Sequence, residues 1–134
     1  LSQLARIEEL LQKRESVARM YGEHLRQVEG VTPPVVAPTT TRSSWFVYVV
    51  RLVPGIPRDT VMARLHERGI ACRPYFTPIH LQPFYQQQFG WKRSDLPCTE
   101  QAGDTFLALP FSGIMTQEQV EYVCDQLHGG IESV

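Results

Sequence analysis

From Leu1 to Val28 the apolar residues Leu4, Ile7, Leu11, Ala18, Tyr21, Leu25 and Val28 recur at spacings of three and four, interrupted at Arg14. That is one stripe of an amphipathic helix. Its length, about 25 residues, gives about 37 Å at the usual rise. Leu1 is already in register, with only Ser2 as a cap candidate, so the chain reads as cut at or inside a helix. The first half of a helix this long overhangs a small domain and is expected to pack on something outside these residues. Gly22 marks a bend or a close packing contact.

Gly30 closes the helical pattern, and the prolines and threonines of residues 32–41 hold an extended connection. Trp45 to Val53 (WFVYVVRLV) is β-branched and aromatic and predicts a central strand. Pro57 and Asp59 open a second helix that runs to Arg68, with Val61, Met62, Leu65 and His66 near its inner face and Gly69 as the stop. Ile70 to Arg73 reads as a short strand, Gln82 to Phe89 as a short helix, and Gly90 to Leu96 as an exposed turn. Pro97 to Asp104 is a further helix, and Phe106 to Leu109 (FLAL) is a buried strand. Thr116 caps a last helix that runs to Leu127, with Glu118 or Gln119 near the capping-box position. The order α, β, α, β, α, β, α predicts an α/β fold of the α+β two-layer sandwich type. Its sheet is small, mixed or antiparallel, and covered on one face by helices 58–68 and 117–127, with the long first helix across or beside it.

Length and charge narrow the class. The 134 residues, 43% of them hydrophobic, suffice for one core without disulfides or metal. A net charge of −1 argues against nucleic acid as a partner. No apolar run approaches the roughly 20 residues of a membrane span, and no leader pattern opens the chain, so the reading is a soluble protein that is not exported. Cys72, Cys98 and Cys124 form an odd set without a CxxC pair, which points to reduced thiols in the cytoplasm and to no metal site. Lys13 and Lys92 are the only lysines. A mechanism that needs an amine has two candidates.

The least generic stretch is Arg73-Pro74-Tyr75-Phe76-Thr77-Pro78-Ile79-His80. His80, beside a proline and aromatics, is the histidine best placed to meet a ligand, its bland alternative being a cap on a nearby backbone group. Arg73 can grip a carboxylate or phosphate through its planar fork, or close an ordinary salt bridge. Tyr75, Phe76, Phe84 and Tyr85 either line a cleft or plug the loop. Cys72 reads as a small buried hydrophobe. His24, His66 and His128 read as structural or solvated.

The segment from Gly69 to Tyr85, GIACRPYFTPIHLQPFY, resembles the C-terminal domain of the DegT/DnrJ/StrS family of pyridoxal-phosphate-dependent sugar aminotransferases. Supporting features fall in order around it: Lys13-Arg14 and Ala18 to Tyr21 on the first helix, the aromatic strand after Ser43-Ser44, Leu96-Pro97, Leu109-Pro110 and the last helix. The resemblance implies the small domain of a fold-type-I enzyme. Residues 1–29 would be the helix leading to an absent N-terminal catalytic domain, and residues 30–134 the small domain itself. The Schiff-base lysine and most contacts to pyridoxal phosphate would lie in the absent part, so no catalytic residue is expected here and this chain alone is expected to be inactive.

The same resemblance implies amino transfer, commonly from glutamate, to a nucleotide-linked keto sugar, with a homodimer as the intact assembly. His80, Arg73, Tyr75, Phe76 and Tyr85 would meet the substrate. A sugar dehydratase or regulatory relative on the same scaffold, and a free-standing interaction or ligand-binding module, are the alternatives.

Overall fold

The computed structural model describes residues 3–134, so the expected helix start at Leu1 and the Ser2 cap lie outside the described residues. A 3-10 turn at Leu4–Arg6 leads into α1, Ile7–Leu25. Only its second half is buried, through Val17, Ala18, Tyr21 and Leu25, while Leu4 and Ile7 stand 66% and 42% exposed. The apolar stripe therefore outruns the core it meets. Gly22 is a packing contact, since a methyl group there would sit 3.8 Å from the Tyr48 hydroxyl.

Four strands, β1 (Val31–Thr32), β2 (Tyr48–Leu52), β3 (Arg73–Pro74) and β4 (Phe106–Leu109), form one sheet in the order β1-β2-β4-β3. All neighbours are antiparallel. Opposed pairs share a face, so Tyr48 with Leu109 and Val50 with Leu107 turn one row inward. Those four and Leu52 are buried. Onto them pack α1, α2 (Arg58–Glu67) and α5 (Gln117–Glu132), with α5 between the other two. The opposite face carries Thr32, Val49, Arg51, Arg73, Phe106 and Ala108 by register.

The central strand is shorter than its apolar run. Trp45 takes φ +45°, which breaks the extended backbone, and the ladder starts at Tyr48. Trp45 still stacks on Tyr48, whose ring packs between Tyr21 and Phe111 as well. The Tyr21 hydroxyl donates to the Pro110 carbonyl at 2.7 Å, joining α1 to the end of β4.

Three further details depart from the sequence reading. The strand expected at Ile70 to Arg73 is only Arg73–Pro74, because the Ile70 N–H is spent on the Leu65 carbonyl at the end of α2. Ile70 and Cys72 are buried from that turn rather than from a strand. His66 lies off the inner face of α2, exposed, with Nε2 2.8 Å from the Cys72 carbonyl. The last helix passes Leu127 and both glycines to reach Glu132, with Gly130 buried against Val61 and its carbonyl accepting from Arg64. Its start agrees with expectation, Thr116 and Gln119 forming a reciprocal capping box.

Candidate functional site

Between β3 and β4 the chain leaves the sheet and builds a lobe from the segment 75–82, the short helix α3 (Pro83–Phe89), an exposed turn and α4 (Pro97–Thr105). Pro83 and Pro97 each begin a helix where their missing N–H costs nothing. Gly90, at φ +72°, closes α3. This lobe holds the sequence's distinctive loop.

The five expected contact residues do not converge on one pocket. Arg73 lies exposed on the bare face of the sheet and, among the described residues, makes no side-chain hydrogen bond or ion pair. Tyr75 follows it and lines a hollow of about 400 Å³ with Thr32, Pro34, Arg51 and Phe106. Phe76 packs against Tyr75 with ring centroids 4.6 Å apart and is otherwise 71% exposed. Tyr85 belongs to an aromatic cluster on α3, edge-on to Phe84 and stacked on Phe89. No residue of α3 is buried.

His80 goes the other way. It sits in a 3-10 turn, Ile79–Leu81, and is only 5% exposed. Its Nε2 lies 3.0 Å from Oε1 of Glu100, itself 7% exposed, and Trp91 meets the ring edge-on. Both Glu100 oxygens also accept from the Ser94 N–H, at 2.8 and 2.9 Å, and Oε1 accepts from the Leu96 N–H at 3.3 Å. The Ser94 N–H, then the His80 ring, hold the Glu100 carboxyl below its ordinary value. Ser94 takes φ +81°, a left-handed backbone that costs a non-glycine residue roughly 1–2 kcal/mol, and Glu100 is what fixes it.

Sequence reasoning missed two residues here. Arg51 shares the bare face of the sheet with Arg73, diagonally across β4, and is likewise free of side-chain partners among the described residues. Alternation within Tyr48–Leu52, which puts Arg51 between two buried positions, is the signal that would have found it. Glu100 had no such signal, since a glutamate on a short helix ordinarily faces water. The two guanidinium groups therefore place positive charge on the same face of the sheet, on either side of β4.

Of the thiols, Cys98 is exposed at the start of α4, whereas Cys72 and Cys124 are buried outside the lobe. Burial pushes the Cys72 thiol up to about 11 and the Cys124 thiol up to about 12. Lys13 is bound to Glu9 at 2.6 Å on an exposed flank of α1, and Arg6 with Lys13 lowers that carboxyl to about 2. Lys92 is exposed in the turn. Neither amine lines the hollow beside Tyr75 or meets the His80–Glu100 pair, so the lysines present do not fit a cofactor held as a Schiff base. Among the described residues there is also no cluster of three potential metal ligands and no helix long and apolar enough to cross a membrane.

An antiparallel sheet with helices on one face and an aromatic lobe inserted between its last two strands defines a small α/β domain. The family model described as the DegT/DnrJ/EryC1/StrS aminotransferase family matches residues 1–128, and the chain belongs to that family. It is 36% identical over 126 residues to a GDP-perosamine synthase of Caulobacter vibrioides, covering 92% of this chain and 33% of that protein. It is 32% identical over 130 residues to the UDP-4-amino-4-deoxy-L-arabinose–oxoglutarate aminotransferase of Shewanella sediminis, covering 92% and 34%. The crystal structure of the aminotransferase TlmJ from Streptoalloteichus hindustanus superposes with a TM-score of 0.85 at 29% identity, over 98% of this chain and 34% of that one. The chain thus spans about a third of the length of the relatives it matches.

Proposed function

We propose that this domain works within a longer pyridoxal-phosphate-dependent aminotransferase that moves an amino group from glutamate to the keto group of a nucleotide-linked sugar. The family match along residues 1–128 is the observation that carries the reading. The names of two relatives, a GDP-perosamine synthase and a UDP-sugar–oxoglutarate aminotransferase, support the nucleotide sugar and the glutamate donor. In this reading a larger N-terminal domain, reached through residues 1–29, supplies the Schiff-base lysine and holds the cofactor. The intact enzyme is a cytoplasmic homodimer. Residues 30–134 supply one wall of the site, with Arg73 gripping an anionic group and Tyr75, Phe76 and Tyr85 offering aromatic surface to the sugar or its base. His80 shapes that wall from inside.

The test is the intact mass of the native protein purified from its source after borohydride reduction. A chain about three times this length carrying a phosphopyridoxyl group on a lysine is the expected result. An unmodified chain of 134 residues overturns the proposal. The isolated domain mixed with pyridoxal phosphate is expected to give no shift in the cofactor's visible absorbance and no amino transfer.

A further inference from the structure

We infer that Glu100 is the positioning residue of the 75–89 loop, and that His80 is its partner within the fold rather than a group presented to substrate. The effect of this clamp on substrate binding rests on the aminotransferase reading above, whereas the clamp itself does not.

The loop has little else to hold it. Residues of α3 bury no side chain, and Phe76, Ile79, Phe84 and Phe89 are all more than half exposed. The backbone bonds from Leu81 to Pro78 and from Gln82 to Ile79 are local and set no position relative to the sheet. What ties the loop to the body is α4, at two places one helical turn apart. At Gly103 there is no side chain, and a methyl group there would lie 2.7 Å from Cγ and Cδ of Pro78, so the proline ring rests directly on the helix. At Glu100 the carboxylate takes His80 on one side and the turn at Ser94 and Leu96 on the other.

Charge and valence make this arrangement a clamp. A carboxylate offers about four acceptor positions. Oε1 accepts from His80, Ser94 and Leu96, and Oε2 shares the Ser94 N–H. Oε1, the oxygen that meets His80, is thereby fully taken up inside the lobe, and Oε2 keeps one open acceptor position. The Nε2 proton of His80 is committed inward, and the ring is closed over by Trp91. A single buried side chain thereby sets both the start of α3 and the turn that follows it, which are the two ends of the exposed aromatic surface.

The experiment is amide hydrogen exchange and imidazole nitrogen NMR on the labelled 134-residue chain and two variants. In Glu100→Ala the amides of Leu81, Gln82, Ser94 and Leu96 are expected to exchange at least about tenfold faster, while Val50 and Leu107 in the sheet keep their protection. Glu100→Gln is expected to retain most of that loop protection by a traceable route. Its amide oxygen takes the place of Oε1 and accepts from His80 Nε2–H, Ser94 and Leu96, its NH2 group takes the place of Oε2, and the His80 proton stays on Nε2. Loop protection unchanged in Glu100→Ala, or a His80 whose Nε2 carries no proton in the wild-type chain, overturns the inference. If Glu100→Ala does not fold, the presence of the proton on His80 Nε2 in the wild-type chain and in Glu100→Gln decides alone.

Discussion

The sheet and the lobe inserted into it are held together by different physics. Around β2 and β4 the contacts are apolar and dense, with Val50, Leu52, Leu65, Leu107, Val120 and Leu127 completely enclosed. Burying one such side chain is worth roughly 1.5–3 kcal/mol, and many act on the same core. In residues 75–105 the buried side chains are polar, His80, Glu100 and Thr105, and the large apolar ones face outward. A core of the first kind tolerates changes of detail, because its energy is spread over many contacts. A lobe of the second kind depends on a few directional bonds, and losing one leaves the remaining partners buried and unsatisfied.

The sharpest way to break this contrast is at the core. Leu107→Ala removes a fully buried side chain opposite Val50 and is expected to lower global stability by about 2–5 kcal/mol. Guanidinium unfolding followed by far-UV circular dichroism reads it as a lower midpoint at unchanged slope. A loss under about 1 kcal/mol would mean that the sheet is not where the stability resides.

A smaller effect, confined to the lobe, is expected in acid. Glu100 has a folded carboxyl pKa below its ordinary value of 4.5. A group lowered by folding stabilises the fold fully above the unfolded value and ceases to do so as pH falls through the folded one. The groups facing it are the His80 ring and the Ser94 and Leu96 amides, with the exposed Arg93–Asp104 pair at the edge of the same turn. Below pH 4.5 the protection that wild type holds over Glu100→Gln at Ser94 and Leu96 is expected to shrink and vanish, while the sheet amides stay protected to lower pH. Exchange measured on both proteins along an acid series checks it, and simultaneous loss in sheet and lobe would erase the distinction between them.

How much of each region was legible in the sequence follows the same division. Periodicity found α1, α2 and α5, because a core selects apolar residues at the period of the element that packs on it, and β4 was found as the short apolar run Phe106 to Leu109. Thr116 with Gln119 located the start of α5 through a side-chain bond that is local in sequence. β1 was missed, because two residues pairing beside Pro33 and Pro34 carry no period. The strand expected from Trp45 lost its first three residues to a backbone angle that composition does not encode. In the lobe the unusual loop stood out at once and His80 within it, yet the direction of its ring did not. That direction is set by Glu100, twenty residues on, and no local pattern marks a glutamate that will be buried. Arg51 was hidden in plain alternation, its face assigned only once the helices were known to cover the other one.

The smallest expected effect falls where a sequence reading would expect a large one. Phe89 is an aromatic at the end of a helix, stacked on Tyr85 with centroids 5.9 Å apart, and composition alone would place it in a core. It is 58% exposed, and its helix buries nothing. Phe89→Ser gives up one exposed stacking contact and the remaining partial burial, so its effect on stability is expected to stay within about 0.5 kcal/mol. The same unfolding titration that reads Leu107→Ala measures it, and a loss above about 2 kcal/mol would make α3 part of the core. A small loss has a further consequence, because an aromatic that contributes so little to stability is unaccounted for by folding. The cluster of Phe84, Tyr85 and Phe89 would then have its reason in what this face meets.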